Sequence, residues 1–339
     1  MIAFLFPGQG AQEVGMGAEI ARSFSTAAEL YDKANNIVGF DLSRICFEGP
    51  AEKLNTTTIS QPAIFVTSAA ILEVLKTNPP ANGRVAASKP VPSTSSEQAL
   101  SEAEGPKVLG IAQPHVTAGL SLGEYTALYA AGVLSFEDAL ILVQKRGQAM
   151  QAAADATEGA MVSIIGLDEE KVRQLCAEAS DGELLQPVNF NCPGQIVISG
   201  SKAACRRAEE LAPKYNAIKA VPLEVAGAFH TEMMSSAADA LKEALSNCKI
   251  SEPSDIKIIA NINAEYYKNA KEIAKGLTKQ LISPIYWQKC MEQLLADGVE
   301  TFYEIGPGRV LTGLLKRIHR KANIINISSA QSLNEILMR

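Results

Sequence analysis

A serine between two glycines is the arrangement in this sequence with the clearest chemical potential. The stretch "GLSLG" places Ser121 in the pattern G-x-S-x-G, after an apolar segment and before a helical pattern. In that context small flanking residues let a strand turn sharply into a helix, which exposes the serine hydroxyl and aims the backbone N–H of the next residue, Leu122, at a developing oxyanion. The pattern predicts a nucleophile, and a glycine-flanked turn with a capping serine is the alternative.

A nucleophilic serine needs a base, and the chain has 3 histidines. His115 begins the predicted strand that leads to Ser121, so we expect it at the far end of that strand. His319 belongs to the basic run "KRIHRK", where we expect a solvated side chain. His230 follows a glycine-containing loop and precedes a predicted helix, from which its side chain can project into a cleft. Elimination therefore predicts His230 as the base, whereas a lone histidine at a helix start more often has a capping or packing role.

Arg146 is expected at the edge of an apolar helix face. The residues of that face are Phe136, Leu140, Val143, Met150 and Ala154. Because this face contains no carboxylate, the Arg146 guanidinium indicates an anionic partner from elsewhere. A ligand carboxylate could bind the guanidinium in a bidentate manner. The alternative is an arginine whose side chain extends to the surface or pairs with a structural acid.

Composition excludes several classes of protein. The 339 residues are 47% hydrophobic and 20% charged, which is typical of a soluble globular protein with one large core or two unequal ones. A net charge of -6 with scattered basic residues argues against a nucleic-acid interface. The 6 cysteines form no CxxC pair, which indicates reduced thiols. The N-terminus lacks a basic leader and no apolar run is expected to span a bilayer, so we predict a cytoplasmic protein without membrane contact.

The first elements predict a strand, a glycine loop and a helix. "IAFLF" reads as a short buried strand and "PGQG" follows it. This loop does not match the dinucleotide fingerprint, because counting from Gly8 gives Gly10 and then Glu13 where a third glycine is required. A Walker loop is also absent from the sequence, so we expect no bound cofactor and no metal.

The rest of the chain predicts an α/β fold with an inserted subdomain. Residues 78–107 are rich in Pro, Ala, Ser and Glu, which predicts a surface insertion. Residues 155–222 read as strand, helix, strand, strand, helix and strand, the order of a ferredoxin-like unit. Residues 1–154 and 223–339 then form one larger α/β domain. Two predicted helices follow Ser121. Ser135 stands three residues before Asp138, and this spacing predicts that the second of these helices begins at Ser135.

Several motifs occur together, in order and along nearly the whole chain outside the insertion. They are "FPGQGAQ", "GLSLGEY", "QKRGQAM", "PVNFNCPGQIVISG", "AFH", "KQLISPIYW" and "EIGPGRVLTGL". This set resembles the malonyl-CoA:acyl-carrier-protein transacylases of type II fatty-acid synthesis, which are related to polyketide acyltransferase domains. The resemblance implies an α/β-hydrolase-like large domain beneath a ferredoxin-like small subdomain.

The resemblance also implies roles for particular residues. It makes Ser121 the acylated nucleophile and His230 its base, which a main-chain carbonyl at Gln280 would orient in place of an aspartate. Arg146 would hold the malonyl carboxylate. The resemblance implies an oxyanion hole formed by Gln9 and the Leu122 N–H. Cleft residues at the matching family positions are Gln61, Asn191 and Gln195. Phe229 would crowd the acyl α-carbon and so favour malonyl over methylmalonyl.

One departure from the family pattern concerns Leu120. Most relatives have histidine at this position, directly before the nucleophile. A residue there can touch substrate or form the rim of the site, so the aliphatic side chain could change acyl preference or rate. The glycines alone set the turn geometry, and we therefore expect catalysis to survive.

The predicted activity is transfer of a malonyl group from malonyl-CoA to the phosphopantetheine thiol of acyl carrier protein, through a malonyl-serine intermediate. The protein is predicted to be a monomer. Coenzyme A and phosphopantetheine enter only as parts of the substrates. Two alternatives stay open at this point. A serine esterase or thioesterase would use the same serine and histidine with water as acceptor, and a catalytically silent subunit would only bind the carrier protein.

Overall fold

The structure is a computed structural model that describes residues 1–77 and 111–338. It contains both strands and helices throughout the described residues, as the sequence predicts for an α/β protein. In chain order the elements are β1 (Ile2–Phe6), α1 (Ala18–Ser23), α2 (Ser25–Val38), α3 (Leu42–Glu48), α4 (Ala51–Leu54), α5 (Thr57–Thr77), β2 (Val116–Gly119), α6 (Gly123–Ala130), α7 (Phe136–Asp155), β3 (Gly159–Ile165), α8 (Glu169–Ser180), β4 (Leu185–Cys192), β5 (Gln195–Ser201), α9 (Lys202–Leu211), β6 (Lys219–Pro222), α10 (Ser235–Ser246), β7 (Lys257–Ile258), α11 (Ala270–Gln280), α12 (Trp287–Ala296), β8 (Thr301–Ile305), α13 (Val310–Ile318), β9 (Asn323–Ile327) and α14 (Ala330–Leu337).

A parallel sheet forms the centre of the larger part of the molecule. Among the described residues it has five strands in the order β7-β2-β1-β8-β9, and every neighbouring pair is parallel. Strand β1 lies in the middle and is buried from its second residue onward, as its run of apolar residues predicts. Phe6 and Gly119 are partners in the register of β1 and β2. Both strands therefore end at the same edge of the sheet, where the "GLSLG" turn follows.

An antiparallel sheet forms the centre of the smaller part. Its four described strands have the order β4-β5-β3-β6, and β4 and β5 form a hairpin whose turn contains Pro193 and Gly194. The apolar residues of this sheet and of α8 and α9 make a hydrophobic cluster of their own. The chain is thus mixed α/β with one parallel and one antiparallel sheet, and the predicted order of elements in residues 155–222 is present.

Main-chain hydrogen bonds connect the two parts. The Phe190 N–H donates to the Ile285 carbonyl at 2.9 Å, and the Ile285 N–H donates to the Val188 carbonyl at 2.7 Å. Beside them the Phe190 and Tyr286 rings stack with centroids 5.1 Å apart. The small sheet is therefore held beside the parallel sheet at the end of β4.

Helix α5 corrects one expectation from the sequence. It has 21 residues and a mean hydropathy of 1.5, so by length and composition it could cross a membrane, whereas we expected no run long enough. Within the described residues it is the one helix that meets this test, and 83% of its apolar window is buried inside the protein. A buried core helix of a soluble protein passes the same test, and helix α5 packs against α2 and α7.

Other differences concern the limits of elements. The predicted first helix is interrupted at Phe24, whose extended backbone (φ -135°, ψ 116°) separates α1 from α2. The apolar segment "IKIIANIN" has the pattern of a longer strand, but only Lys257–Ile258 of it lies in the sheet. Ser135 caps α7 as expected, because its hydroxyl accepts from the Asp138 N–H at 3.0 Å. The predicted surface insertion at 78–107 lies outside the described residues.

Candidate active site

The turn between β2 and α6 holds Ser121 in a strained conformation. Its φ of 50° is in the left-handed region, which non-glycine residues seldom occupy. The flanking glycines make the turn possible, since a Cβ on Gly119 would lie 1.9 Å from the Gly123 carbonyl carbon. A Cβ on Gly123 would lie 2.1 Å from the Phe6 carbonyl oxygen. Only glycine fits at either place, and the serine is therefore presented at the end of the parallel sheet.

The structure brings Ser121 and His230 together although 109 positions separate them. The Ser121 Oγ lies 3.1 Å from His230 Nε2, and His230 Nδ1 lies 2.8 Å from the Gln280 carbonyl oxygen. Because a carbonyl can only accept, Nδ1 carries the proton and Nε2 of the neutral ring is the acceptor. The serine hydroxyl can therefore donate to Nε2, which is the arrangement that general-base activation requires.

Burial keeps the imidazole of His230 neutral. The pKa of His230 is lowered to about 4, because loss of solvent and the positive charge of Arg146 both disfavour its protonation, while the hydrogen bond to the Gln280 carbonyl opposes them. His115 and His319 lie elsewhere. His115 precedes β2 and accepts from the Ile2 N–H, and His319 is exposed. Of the histidines, only His230 meets the serine.

Arg146 lies inside the protein, on helix α7. Its side chain is 1% exposed. One terminal nitrogen donates to Gln61 Oε1 at 2.8 Å, and the other donates to Ser121 Oγ at 2.9 Å and to Gln280 Oε1 at 3.0 Å. Tertiary neighbours on α5 and α11 cover this part of α7, which a single-helix pattern does not reveal.

All three acceptors of the Arg146 guanidinium are neutral oxygens. Its Nε has no hydrogen-bond partner among the described residues, and no described salt bridge includes this arginine. Burial lowers the pKa of Arg146, and the nearby Tyr125 and Glu124 oppose that shift, but a guanidinium remains charged in proteins. The site therefore contains a buried cation that can bind an incoming anion directly.

Two backbone N–H groups beside the serine are free to donate. Gln9 and Leu122 both line the cleft, and neither N–H has an acceptor within residues 1–77 and 111–338. The Ser121 N–H, in contrast, donates to Asn261 Oδ1 at 2.7 Å. Helix α6 begins at Gly123, so its N-terminus also directs partial positive charge toward this point. An oxyanion that develops here would meet two unused donors.

The cleft around the serine has a volume of about 440 Å³. Residues of the parallel-sheet part and of the antiparallel-sheet part both line it. Leu120 and Phe229 line it as predicted, and Gln61 lies behind it against Arg146. Residues that the sequence did not single out for the cleft also line it, namely Gly10, Gln12, Asn55, Met150, Met161, Asn189, Leu223, Glu224 and Val225. Within the described residues, no group of three or more His, Cys, Asp or Glu side chains could hold a metal ion.

Asn191 and Gln195 do not line this cleft, which corrects the expectation for both. Strand β4 has register irregularities between Pro187 and Asn189 and between Phe190 and Cys192. Asn189, which lies next to both irregularities, lines the cleft. The Gln195 Oε1 accepts from Arg317 at 2.5 Å at the hairpin turn.

Polar residues beneath the serine escaped the sequence analysis. The Asn261 side chain bridges the turn, because Oδ1 accepts from the Ser121 N–H and Nδ2 donates to the Gly119 carbonyl at 2.8 Å. The fully buried Glu124 accepts from the Gln280 Nε2 at 2.8 Å and from the Tyr267 hydroxyl. A carboxylate in the apolar first turn of α6 was the one available signal, since an acid in that position needs buried partners.

Comparison with known proteins places the chain among acyltransferases. Residues 3–86 and 97–335 match the acyl transferase domain family. The malonyl CoA-acyl carrier protein transacylase of Bacillus subtilis is 42% identical over 98% of this chain and 95% of that protein. The protein of the same name from Escherichia coli K12 is 38% identical over 98% of this chain and 96% of its own.

Solved structures agree with these relatives. An acyl carrier protein S-malonyltransferase from Vibrio cholerae superposes with a TM-score of 0.86 at 39% identity, covering 99% of both chains. A malonyl-transacylase in complex with its type II polyketide synthase acyl-carrier protein also gives 0.86, at 36% identity, over 99% of this chain and 98% of that one. The similarity thus extends over both sheets.

Proposed function

The chain belongs to the acyl transferase domain family, and from that premise we propose that it is a malonyltransferase that moves a malonyl group from malonyl-CoA to the phosphopantetheine thiol of acyl carrier protein. One observation carries the proposal. The Ser121 Oγ lies 3.1 Å from a neutral imidazole nitrogen and 2.9 Å from a buried guanidinium nitrogen. The site therefore combines an activated nucleophile with a cation suited to an acid group, and the names of the relatives indicate the same substrates.

In the first half-reaction Ser121 attacks the thioester. Its Oγ forms a bond to the carbonyl carbon of malonyl-CoA while its proton passes to His230 Nε2. The carbonyl oxygen becomes an oxyanion, which the N–H groups of Gln9 and Leu122 stabilise. The carbon–sulfur bond then breaks, the proton on Nε2 goes to the departing coenzyme A thiolate, and the malonyl group remains as an ester on Ser121.

The second half-reaction reverses these steps with another thiol. His230 takes the proton of the phosphopantetheine thiol, whose sulfur attacks the ester carbonyl. The bond to Ser121 Oγ breaks, the proton returns to the serine, and a malonyl thioester leaves on acyl carrier protein. Water must be kept from the acyl-serine for transfer to exceed hydrolysis. The Gln280 carbonyl holds the imidazole in one orientation throughout, because it accepts from Nδ1–H.

Acyl preference rests on side chains around the serine. Arg146 binds the far carboxylate of a malonyl group, and a charge-assisted pair of this kind contributes about 1.5 to 3 kcal/mol. That amounts to roughly tenfold to a hundredfold discrimination against acetyl. Phe229 is 4% exposed, lines the cleft directly before the base, and crowds the α-carbon against a branched acyl group. Leu120 forms part of the same wall and adjusts acyl preference.

Several broader features belong to the same proposal. The parallel part is α/β-hydrolase-like, and residues 155–222 are a ferredoxin-like subdomain. The strand order β4-β5-β3-β6 supports the second assignment. The protein is a cytoplasmic monomer that uses no bound cofactor and contacts neither nucleic acid nor membrane.

The test is the intact mass of the protein after separate incubation with malonyl-CoA, acetyl-CoA and methylmalonyl-CoA. We expect a mass gain from malonyl-CoA that is absent in Ser121→Ala, and transfer of the label when a phosphopantetheinylated carrier protein is added. Equal labelling by acetyl-CoA would contradict the role of Arg146. Loss of the label to buffer as fast as to carrier protein would instead identify a thioesterase.

A further inference from the structure

Glu124 lies beneath the serine and takes no part in the steps above. Its side chain is fully buried, and three donors converge on its carboxylate. Gln280 Nε2 donates at 2.8 Å, the Asn261 N–H donates at 3.2 Å, and the Tyr267 hydroxyl donates to the other oxygen. With all three groups donating, this arrangement fits an ionised carboxylate, which has about four acceptor sites. These donors partly offset the cost of burying a negative charge at this place.

The Gln280 side chain separates this charge from Arg146. Its Nε2 donates to Glu124, and its Oε1 accepts from the Arg146 guanidinium at 3.0 Å. The carboxylate and the guanidinium are therefore near enough to compensate each other but make no hydrogen bond with each other. A direct pair would use the guanidinium N–H groups that an anionic acyl group needs. The Gln280 amide takes one guanidinium N–H, whereas a bidentate carboxylate would take two, and the Arg146 Nε has no partner among the described residues.

We propose that Glu124 is a positioning and specificity-determining residue, the counter-charge of Arg146, whose ionisation sets how strongly the site prefers an acyl group that carries a carboxylate. The proposal rests on the malonyl transfer proposed above. A malonyl carboxylate bound to Arg146 must share one buried cation with Glu124. Repulsion between the two carboxylates weakens malonyl binding and leaves acetyl binding unaffected, because acetyl carries no charge.

Protonation of Glu124 should therefore raise malonyl preference. Burial raises the pKa of Glu124 to about 7, and the hydrogen bonds from Tyr267, Gln280 and Asn261 and the charge of Arg146 oppose that rise. A proton is thus gained as the pH falls through neutrality. The ratio of kcat/KM for malonyl-CoA to kcat/KM for acetyl-CoA should increase as the pH falls.

The neighbours of Glu124 do not titrate in the same range. Arg146 on α7 stays charged, and burial raises the pKa of Tyr125, which lies beside Glu124 on α6. Burial also raises the pKa of Tyr267, before α11, and of Cys290, on α12. The pKa of His230 is lowered to about 4. A change in acyl preference near neutral pH therefore reports on Glu124, and the ratio removes effects on His230 that both substrates share.

The decisive variant is Glu124→Gln. Its amide oxygen can accept from Gln280 and Asn261 while its amide nitrogen donates to the Tyr267 oxygen, so the geometry is kept and the charge is lost. We expect the malonyl-to-acetyl ratio at mildly alkaline pH to rise about tenfold and to become independent of pH. Tyr267→Phe keeps the charge but removes one stabilising donor, so the midpoint of the pH dependence should move to higher pH.

Glu304→Gln is the matched control, because Glu304 is also a fully buried carboxylate. It accepts from the Leu311 and Thr312 N–H groups at 2.8 and 2.9 Å, and none of these residues lines the cleft. The ratio should equal that of the wild type at every pH. A wild type that does not transfer malonyl would refute the proposed function itself. An active wild type whose ratio is unchanged or lowered in Glu124→Gln, or whose pH dependence is unmoved in Tyr267→Phe, would overturn the role of Glu124.

Discussion

The protonation of a single residue, His230, decides over which pH range the serine can react. Its lowered pKa, about 4, means that the neutral base persists well below the ordinary histidine value of about 6.5. We expect kcat/KM for acetyl-CoA to fall in acid with an apparent pKa near 4. This fall in kcat/KM is the acid limb of the pH profile. In Arg146→Ala the acid limb should move to higher pH, because one of the two causes that disfavour protonation of His230 is removed.

Initial rates across the acid range measure this limb. The control is recovery of full activity after return to neutral pH, which separates titration from acid unfolding. A limb at the ordinary histidine value in the wild type would contradict the burial argument. A limb that is unmoved in Arg146→Ala would contradict the contribution of the arginine.

Arg146 also determines which acyl group is accepted. In Arg146→Ala the malonyl-to-acetyl ratio of kcat/KM should fall about tenfold to a hundredfold, because the partner of the malonyl carboxylate is lost. Both absolute rates should fall as well, since Arg146 donates to the Ser121 Oγ. Steady-state kinetics with both substrates give the ratio. Arg146→Lys keeps the charge without the planar fork and should lie between wild type and alanine, whereas an unchanged ratio in the alanine variant would refute the assignment.

At the scale of elements, the approach of α6 to β1 depends on Gly123. A Cβ there would lie 2.1 Å from the Phe6 carbonyl oxygen, so Gly123→Ala must push the helix away from the sheet. We expect a loss of more than about 2 kcal/mol of stability and a fall in acylation rate of more than about a hundredfold, because Leu122 then misdirects its N–H. Denaturant unfolding and intact mass measure the two effects.

Gly313→Ala is the matched control for that substitution. Gly313 lies in α13, and a Cβ there would meet no atom within 4 Å. Alanine in an exposed helix should leave acylation unchanged and raise stability by up to about 1 kcal/mol. A Gly123→Ala variant that behaves like Gly313→Ala would show that the turn has more freedom than its geometry implies.

Local patterns predicted the elements better than their limits. Alternation and helical spacing placed β1, α6, α7 and the elements of residues 155–222, because each buries one face. They did not predict the interruption at Phe24 or the shortness of β7. For the site, a local motif and a small number of histidines sufficed to bring Ser121 and His230 into one hypothesis.

The rest of the site depends on tertiary structure. The family resemblance placed Asn191 and Gln195 in the cleft, but neither is among the residues that line it. Tyr267 meets Glu124 across 143 positions of the chain and Asn261 meets it across 137. No local pattern contains such a convergence, so a buried carboxylate signals only that partners exist and not which residues they are.

At the scale of the whole molecule, the cleft exists because two separately packed sheets meet. Met161 on β3 and Asn189 on β4 line the same cleft as Ser121 and His230. The junction near Ile285 fixes the distance between the walls. Exclusion of water from the acyl-serine is therefore a property of the assembled pair of sheets.

Tyr286→Ala tests this dependence on the junction. Its ring stacks on Phe190, which follows the cleft residue Asn189, and loss of such a pair costs about 1 kcal/mol beyond the lost apolar area. A looser wall admits water, so malonyl-serine should hydrolyse several-fold faster in buffer while acylation of Ser121 continues, as intact mass against time will show. Tyr303→Ala loses a comparable ring pair with Phe4, on the parallel sheet, and should lower stability without shortening the life of the acyl-enzyme. Equal lifetimes in the two variants would mean that the junction does not keep water out.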